Sequence, residues 1–233
     1  MESDQELLIH KGENDENPKK ILVTSRSDEH MGGVYIKKKL TAAPINEEGS
    51  ASERKMSLVT KVIGDDEGGA DYYYQTWVYL KEIGIPTVSS MRLVDKNTVI
   101  MGDMTHDGSE FFGKEKRADL LYTDTGNREL SDIEKKFLDI DPEEAKRAII
   151  NLYEKAWNKG VLLPDDDPYD FIVHPDGSWE VIVLDLSQVE YKKRESEDFK
   201  KDKIEKMINM YDYIRKRLNI IRVNRNLNNV NDR

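Results

Sequence analysis

Aspartates are concentrated in one stretch of the chain, between residues 160 and 189. Two short apolar runs rich in β-branched residues cross this stretch, and carboxylates stand at the outer ends of both runs. Carboxylate oxygens are ligands that Mg²⁺ prefers, and a divalent metal held by them can bind phosphate groups. The aspartates concerned are Asp165, Asp166, Asp167, Asp170 and Asp185.

The two apolar runs predict a β-hairpin. They span residues 171–173 and 181–184, and Pro175-Asp176-Gly177 between them is typical of a turn. Such a hairpin would place Asp170 just before its first strand and Asp185 at the end of its second. We therefore expect carboxylates from both ends of the segment to lie close together.

The composition argues against several other kinds of site. The chain has 233 residues and a formal net charge of −10, which is unfavourable for nucleic-acid binding. It has no cysteine, so thiol catalysis, disulfides and cysteine-ligated metals are excluded. Its four histidines lack the spacing of a zinc motif. Since neither a membrane-spanning run nor a secretory signal is evident, we expect a soluble, cytoplasmic protein without membrane contacts.

The first half of the chain predicts a β-sheet with one helix. Aromatic and aliphatic residues at helical spacing predict a helix over 70–83, which Gly84-Ile85-Pro86 ends. The second half predicts a helix from Asp141-Pro142 to Gly160, then the hairpin, then a closing helix over 195–218. Short apolar runs indicate five strands in the first half, at 21–24, 34–36, 58–63, 87–94 and 98–101.

The change from strands to helices near residue 109 predicts two lobes and an α+β fold class. We expect a mobile N-terminal lead-in over residues 1–19 and a sheet-rich N-lobe over 20–104. A helical C-lobe over 105–221 and a polar tail over 222–233 complete the expected organisation.

A lysine in the third predicted strand and aspartates on a late hairpin give the chain an order that resembles the protein-kinase-like superfamily. The segment 80–86, LKEIGIP, also resembles a helix ending in aminoglycoside-phosphotransferase-like members. The resemblance covers residues 20–218 and points to a divergent member of this branch or of the small atypical kinases. It implies a two-lobed kinase-like fold, with one helix beside the N-lobe antiparallel sheet and a catalytic-loop hairpin in a helical C-lobe. It further implies ATP and Mg²⁺ as cofactors.

The resemblance also implies roles for individual residues. Lys61 matches the lysine that binds the nucleotide phosphates, and Met101 falls where the family's backbone holds the adenine. Asp165 matches the catalytic aspartate near the acceptor. Asp170 and Asp185 match the two metal ligands.

Several positions depart from the family's pattern. Gly32 and Gly33 are the glycines present where the family has a fuller glycine-rich phosphate loop. Leu163-Pro164 stands before the catalytic position, where the family has a histidine, and Ser187 replaces the glycine of the DFG triplet. The helix register places residues 73–75 where the family's lysine-pairing glutamate is expected, and none of them is a glutamate.

These residues support more than one function. The leading hypothesis is an ATP- and Mg²⁺-dependent phosphotransferase that acts on a small-molecule or protein hydroxyl. The alternative is a pseudokinase, a nucleotide-binding or protein-interaction module without phosphotransfer. A third hypothesis is an acidic metal-binding or nuclease-like protein unrelated to kinases. The expected partners are a nucleotide and an acceptor or protein whose identity the residues do not specify.

Overall fold

The computed structural model of the chain describes residues 5–12, 15–29, 37–46, 48–64, 68–122, 128–163, 169–186, 189–191 and 196–231. The chain divides into two compact units, which we call unit 1 (Met1–His106) and unit 2 (Asp107–Arg233). Each unit combines helices and strands, so the fold class is α+β.

Unit 1 is built on an antiparallel sheet of six strands, in the order β1-β2-β3-β4-β6-β5. The sheet nearly closes on itself, because His10 exchanges backbone hydrogen bonds of 2.8 and 2.9 Å with Leu93. This closure gives hydrogen-bond partners to backbone N–H and C=O groups that would be unpaired at the edges of an open sheet. The elements are β1 (Gln5–Ile9), β2 (Lys19–Glu29), β3 (Lys37–Pro44), β4 (Met56–Val62), α1 (Gly69–Glu82), β5 (Met91–Asp95) and β6 (Thr98–Gly102).

The strands of unit 1 bury side chains on both faces of the sheet, since successive residues point to opposite sides. One face forms an apolar core that includes Ile21, Leu40 and Ile100. On the other face α1 packs against β5 and β6 and buries Tyr73 and Leu80. The helix predicted over residues 70–83 is therefore confirmed, and its aromatic stripe is the surface that meets the sheet.

Unit 2 contains a three-stranded sheet in the order β10-β9-β7 and a two-stranded pair of β11 and β8. The predicted hairpin is confirmed as β9 and β10, whose turn is closed by a 2.9 Å hydrogen bond from His174 N to Ser178 O. Gly177 in that turn has a φ of 90°, which favours glycine. The elements are β7 (Glu110–Phe112), α2 (Lys114–Tyr122), α3 (Asp132–Asp139), α4 (Pro142–Asn158), β8 (Val161–Leu162), β9 (Tyr169–Val173), β10 (Trp179–Val183), β11 (Glu190–Tyr191) and α5 (Glu197–Asn231).

The long helix α5 connects the other helices of unit 2. Arg217 donates hydrogen bonds of 3.1 and 2.8 Å to the carbonyl of Leu120 in α2. Arg215 donates at 2.9 Å to the carbonyl of Ile140, directly after α3. Cations at helix C-termini satisfy carbonyls that have no partner within their own helix. None of the described helices combines the length and the apolar character that a membrane crossing needs.

The predicted two-lobed kinase-like fold is wrong. Unit 1 has a nearly closed sheet of six strands, because Gln5–Ile9, expected to be a mobile lead-in, forms β1. The described part of unit 2 is not a helical lobe carrying one hairpin, since it includes a three-stranded sheet and a further strand pair. The physical reason is that strand pairing is decided by contacts between distant residues, which local apolar runs do not reveal.

Candidate functional site

Lys61 is a buried cation in unit 1. It lies on β4, is only 4% exposed, and its Nζ donates a hydrogen bond of 3.1 Å to the Tyr73 hydroxyl. The same ammonium lies 4.6 Å from the centroid of the Tyr73 ring. A lysine that faces an aromatic ring gains a cation–π attraction in addition to the hydrogen bond. Tyr73 of α1 thus contacts Lys61 both through its hydroxyl and through its ring.

Lys61 and Met101 lie on the same face of the sheet. The register of β4 and β6 pairs Lys61 with Val99 and Val59 with Met101, and side chains two residues apart share a face. Met101 is 8% exposed, so both residues are buried under the side of the sheet that α1 covers. Two of the predicted nucleotide-binding residues are thereby brought together, whereas Gly32 and Gly33 lie outside the described residues.

A buried carboxylate, Asp103, follows β6 on that same side. Asp103 is 6% exposed and accepts hydrogen bonds of 2.9 Å from Ser57 Oγ and 2.7 Å from Thr105 Oγ1. Lys39 Nζ in turn donates to Thr105 Oγ1 at 3.2 Å. Burial alone would raise the pKa of the Asp103 carboxyl, but the bonds from Thr105 and Ser57 and the charge of Lys39 hold it below its ordinary value.

This carboxylate was not predicted from the sequence. The signal that drew attention to Asp185, a carboxylate at the end of an apolar strand, is equally present at Asp103 after Ile100-Met101-Gly102. What distinguishes Asp103 is Thr105, two residues later, whose backbone N–H and hydroxyl both donate hydrogen bonds to the Asp103 carboxylate. A short polar residue two positions after an aspartate indicates a local turn of this kind.

In unit 2, Asp170 lies against the start of a helix. A Cβ atom at Gly113 would fall 1.8 Å from Asp170 Oδ1, so only glycine fits at that position. Gly113 directly precedes α2, whose first residue is Lys114. A carboxylate beside a helix N-terminus is stabilised by the helix dipole. The position of Asp170 is therefore accounted for by helix stabilisation as well as by the predicted metal binding.

The other predicted carboxylates differ in how far the structure describes them. Asp185 is half-buried and follows β10 by two residues, while Asp170 stands at the beginning of the partner strand β9. Both therefore lie at the open end of the hairpin. Asp165, Asp166 and Asp167 are outside the described residues. Among the residues that are described, no group of three or more histidine, aspartate and glutamate side chains is arranged to hold a metal ion.

Two further polar clusters in unit 2 were not predicted. The Ser109 hydroxyl lies 2.5 Å from Asp107 Oδ1 and 2.8 Å from His174 Nδ1. Although a serine beside a histidine and a carboxylate is the composition of a hydrolase site, Ser109 is only 3% exposed. In this arrangement the serine joins the residues before β7 to the turn between β9 and β10, which is a structural role.

The second cluster surrounds Glu134 of α3, whose side chain is fully buried. Arg128 donates to both of its carboxylate oxygens, at 2.8 and 2.5 Å, and Lys116 Nζ lies 2.7 Å away. The backbone of Ser131 donates a further bond of 2.8 Å within a capping box. Burial would raise the pKa of the Glu134 carboxyl, but the bonds from Arg128 and Lys116 lower it below its ordinary value.

No protein-family model matches the chain, and no curated protein matches it at a significant level.

Proposed function

We propose that the chain is an ATP-binding, Mg²⁺-dependent phosphotransferase that acts on a hydroxyl of a small molecule or a protein in the cytoplasm. The proposal depends on individual residues and not on the two-lobed kinase fold, which the structure contradicts. Lys61 and Met101 of unit 1 would bind the nucleotide, and Asp170 and Asp185 of unit 2 would bind the metal.

The observation that supports nucleotide binding best is the buried ammonium of Lys61. Removing a charged group from water costs several kcal/mol in effective terms unless partners compensate, so lysines are rarely buried unless they are paired, and a phosphate is one partner that an ammonium can have. Phosphate oxygens form strong, charge-assisted hydrogen bonds with ammonium groups. Met101 lies on the same face of the sheet, and its backbone is where the resemblance places the adenine.

The chemistry of Asp170 and Asp185 is compatible with Mg²⁺, because both supply carboxylate oxygens. In phosphoryl transfer Mg²⁺ supplies positive charge that stabilises the transferred group. The role of Asp165 in orienting the acceptor hydroxyl follows from the resemblance alone and stays a prediction.

A second candidate function is a nucleotide-binding module without phosphotransfer. The contact of Asp170 with Gly113 favours it, because this carboxylate has a structural reason to stand at the start of α2 even where no metal is used.

Thermal unfolding and ADP formation together separate the two candidates. For a phosphotransferase, ATP with Mg²⁺ should raise the melting temperature, and ADP should accumulate when the acceptor or water takes the phosphoryl group. Asp185→Asn should abolish ADP formation, whereas Asp139→Asn, which changes an exposed aspartate of α3, should leave it unchanged. A melting shift without any ADP formation would support the binding module. ADP formation at the wild-type rate by Asp185→Asn would overturn the assignment of Asp185.

A further inference from the structure

The face of the sheet that carries Lys61 carries a second lysine. The register of β3 and β4 pairs Lys39 with Val59, and Val59 is two residues from Lys61 along β4. Since alternate residues share a face, the side chains of Lys39 and Lys61 extend from the same side of the sheet. Diagonal neighbours of this kind in an antiparallel pair are about 7–8 Å apart at their backbones.

Along one row of paired residues on this face, the side chains change from apolar to basic. Met91 of β5 pairs with Met101 of β6, Met101 pairs with Val59 of β4, and Val59 pairs with Lys39 of β3. The row therefore runs from two buried methionines to a half-buried lysine, with Lys61 beside it on β4. Lys39 is therefore the more accessible of the two cations on this face.

On this basis we propose that Lys39 is a second phosphate-binding cation, which contacts the polyphosphate chain of a nucleoside triphosphate together with Lys61. The inference rests on the proposed nucleotide binding and adds to it a residue that the sequence analysis did not single out. An anionic chain with several charged groups can contact two ammonium groups at once, which a single phosphate does less well.

Lys39 also has a structural contact, and the test has to separate the two roles. Its Nζ donates to Thr105 Oγ1, and its charge offsets that of Asp103. If this were its whole role, removing the charge would disturb the Asp103 cluster and lower the affinity of unit 1 for all its ligands equally. If Lys39 contacts phosphates, the loss is confined to ligands that carry them.

Calorimetric titration with two probes, ATP and adenosine, distinguishes these outcomes. Lys39→Gln keeps most of the side-chain length and removes the charge, so we expect ATP affinity to fall about tenfold while adenosine affinity is unchanged. Lys39→Arg keeps the charge and should retain most of the ATP affinity. Lys55→Gln, which changes an exposed lysine, is the matched control and should bind both probes like the wild type.

Two results would overturn the inference. If Lys39→Gln binds ATP as tightly as the wild type, or loses ATP and adenosine affinity equally, Lys39 is not a phosphate contact, although nucleotide binding itself stands. If the wild type binds neither probe, the proposed function fails and the role of Lys39 fails with it. Urea unfolding of each variant verifies that the compared proteins are folded.

Discussion

The two units each bury a charged side chain, and they do so in different ways. Glu134 in unit 2 is surrounded by two cations and a backbone donor, and it also caps its own helix. Lys61 in unit 1 contacts the hydroxyl and the ring of a tyrosine, both of which are neutral. The first arrangement cancels the buried charge of Glu134, and the tyrosine contact orients the ammonium of Lys61.

The partners of a buried charge help to distinguish charges that stabilise the fold from charges that bind a ligand. A buried charge that opposite charges saturate has little to gain from a ligand, and its removal leaves the surrounding ions uncompensated. An ammonium group that binds a phosphate is instead expected to lose affinity for anions when its charge is removed. We therefore assign Glu134 to the stability of unit 2, whereas ligand binding by Lys61 is a proposal that its own variants test.

The largest effect is expected at Glu134. Glu134→Ala leaves Arg128 and Lys116 without their shared partner and removes the capping box, so the free energy of unfolding should fall by about 3–5 kcal/mol. Urea denaturation measures this value. Glu154→Ala, at an exposed position of α4, is the control and should change stability by less than about 0.5 kcal/mol. A loss at Glu134 no larger than at Glu154 would contradict the structural role.

A smaller loss of stability is expected at Gly113, and it tests whether Asp170 has a structural role like that of Glu134. Gly113→Ala places a Cβ into the Asp170 carboxylate, which should lower the free energy of unfolding by about 1–3 kcal/mol. Adding Asp170→Ala to this variant removes the clash and should recover part of the loss. If the double variant is less stable than the sum of the single changes predicts, the packing described here is wrong.

Tyr73→Phe tests the contact of Lys61, the buried cation of unit 1. The change removes the hydroxyl that accepts from Lys61 but keeps the ring beneath the ammonium. The free energy of unfolding should therefore fall by about 1–2 kcal/mol, because a hydrogen bond to a charged group is lost while the cation–π contact remains. Tyr122→Phe, at an exposed tyrosine of α2, is the control and should change stability by less than about 0.5 kcal/mol. Equal stability of Tyr73→Phe and the wild type would contradict the Lys61 contact.

The smallest expected effect is in the pH dependence of stability. Because the folded-state pKa of Glu134 lies below its ordinary value of 4.5, the folded state binds fewer protons than the unfolded state in acid. The contribution of Glu134 is therefore complete above about pH 4.5 and is lost as the pH falls through the lowered pKa. Glu134→Gln should flatten the acid side of the stability curve, while Glu154→Gln should leave its slope unchanged. An unchanged slope in Glu134→Gln would contradict the lowered pKa.

Local patterns predicted the elements whose signals are contained in a short stretch. The hairpin of β9 and β10 follows from two β-branched runs around Pro175-Asp176-Gly177, and α1 follows from its aromatic spacing and from Gly84. The start of α4 follows from Asp141, whose side chain accepts from the backbones of Glu143 and Glu144.

Elements that depend on distant partners were not predictable in this way. β1 has only three consecutive apolar residues, and its place is decided by pairing with β2 and by the bridge from His10 to Leu93. β3 spans Lys37–Pro44 and begins with three lysines, which are not typical of a strand. The second strand was therefore predicted over 34–36, which lies outside the described residues.

The candidate site shows the same limit. That Lys61 lies in a strand was evident from Val59, Val62 and Ile63 around it, but its burial and its contact with Tyr73 depend on how α1 packs. Thr105 gives Asp103 a local signal, but the burial of Asp103 and its hydrogen bond from Ser57 depend on residues that are distant in the sequence. Sequence spacing identified residues capable of the chemistry, and packing decided which of them share a face.

The central claim, that Lys61 binds the phosphates of a nucleotide, is tested most directly by calorimetric titration of ATP into the wild type and Lys61→Met. Methionine keeps the apolar stem and removes the ammonium, so ATP affinity should fall at least about tenfold while adenosine affinity changes little. Lys61→Arg, which retains a charge, should lie between the two and also guards against a loss that arises from misfolding. Equal ATP affinity of the wild type and folded Lys61→Met, or no ATP binding by the wild type, would contradict the claim.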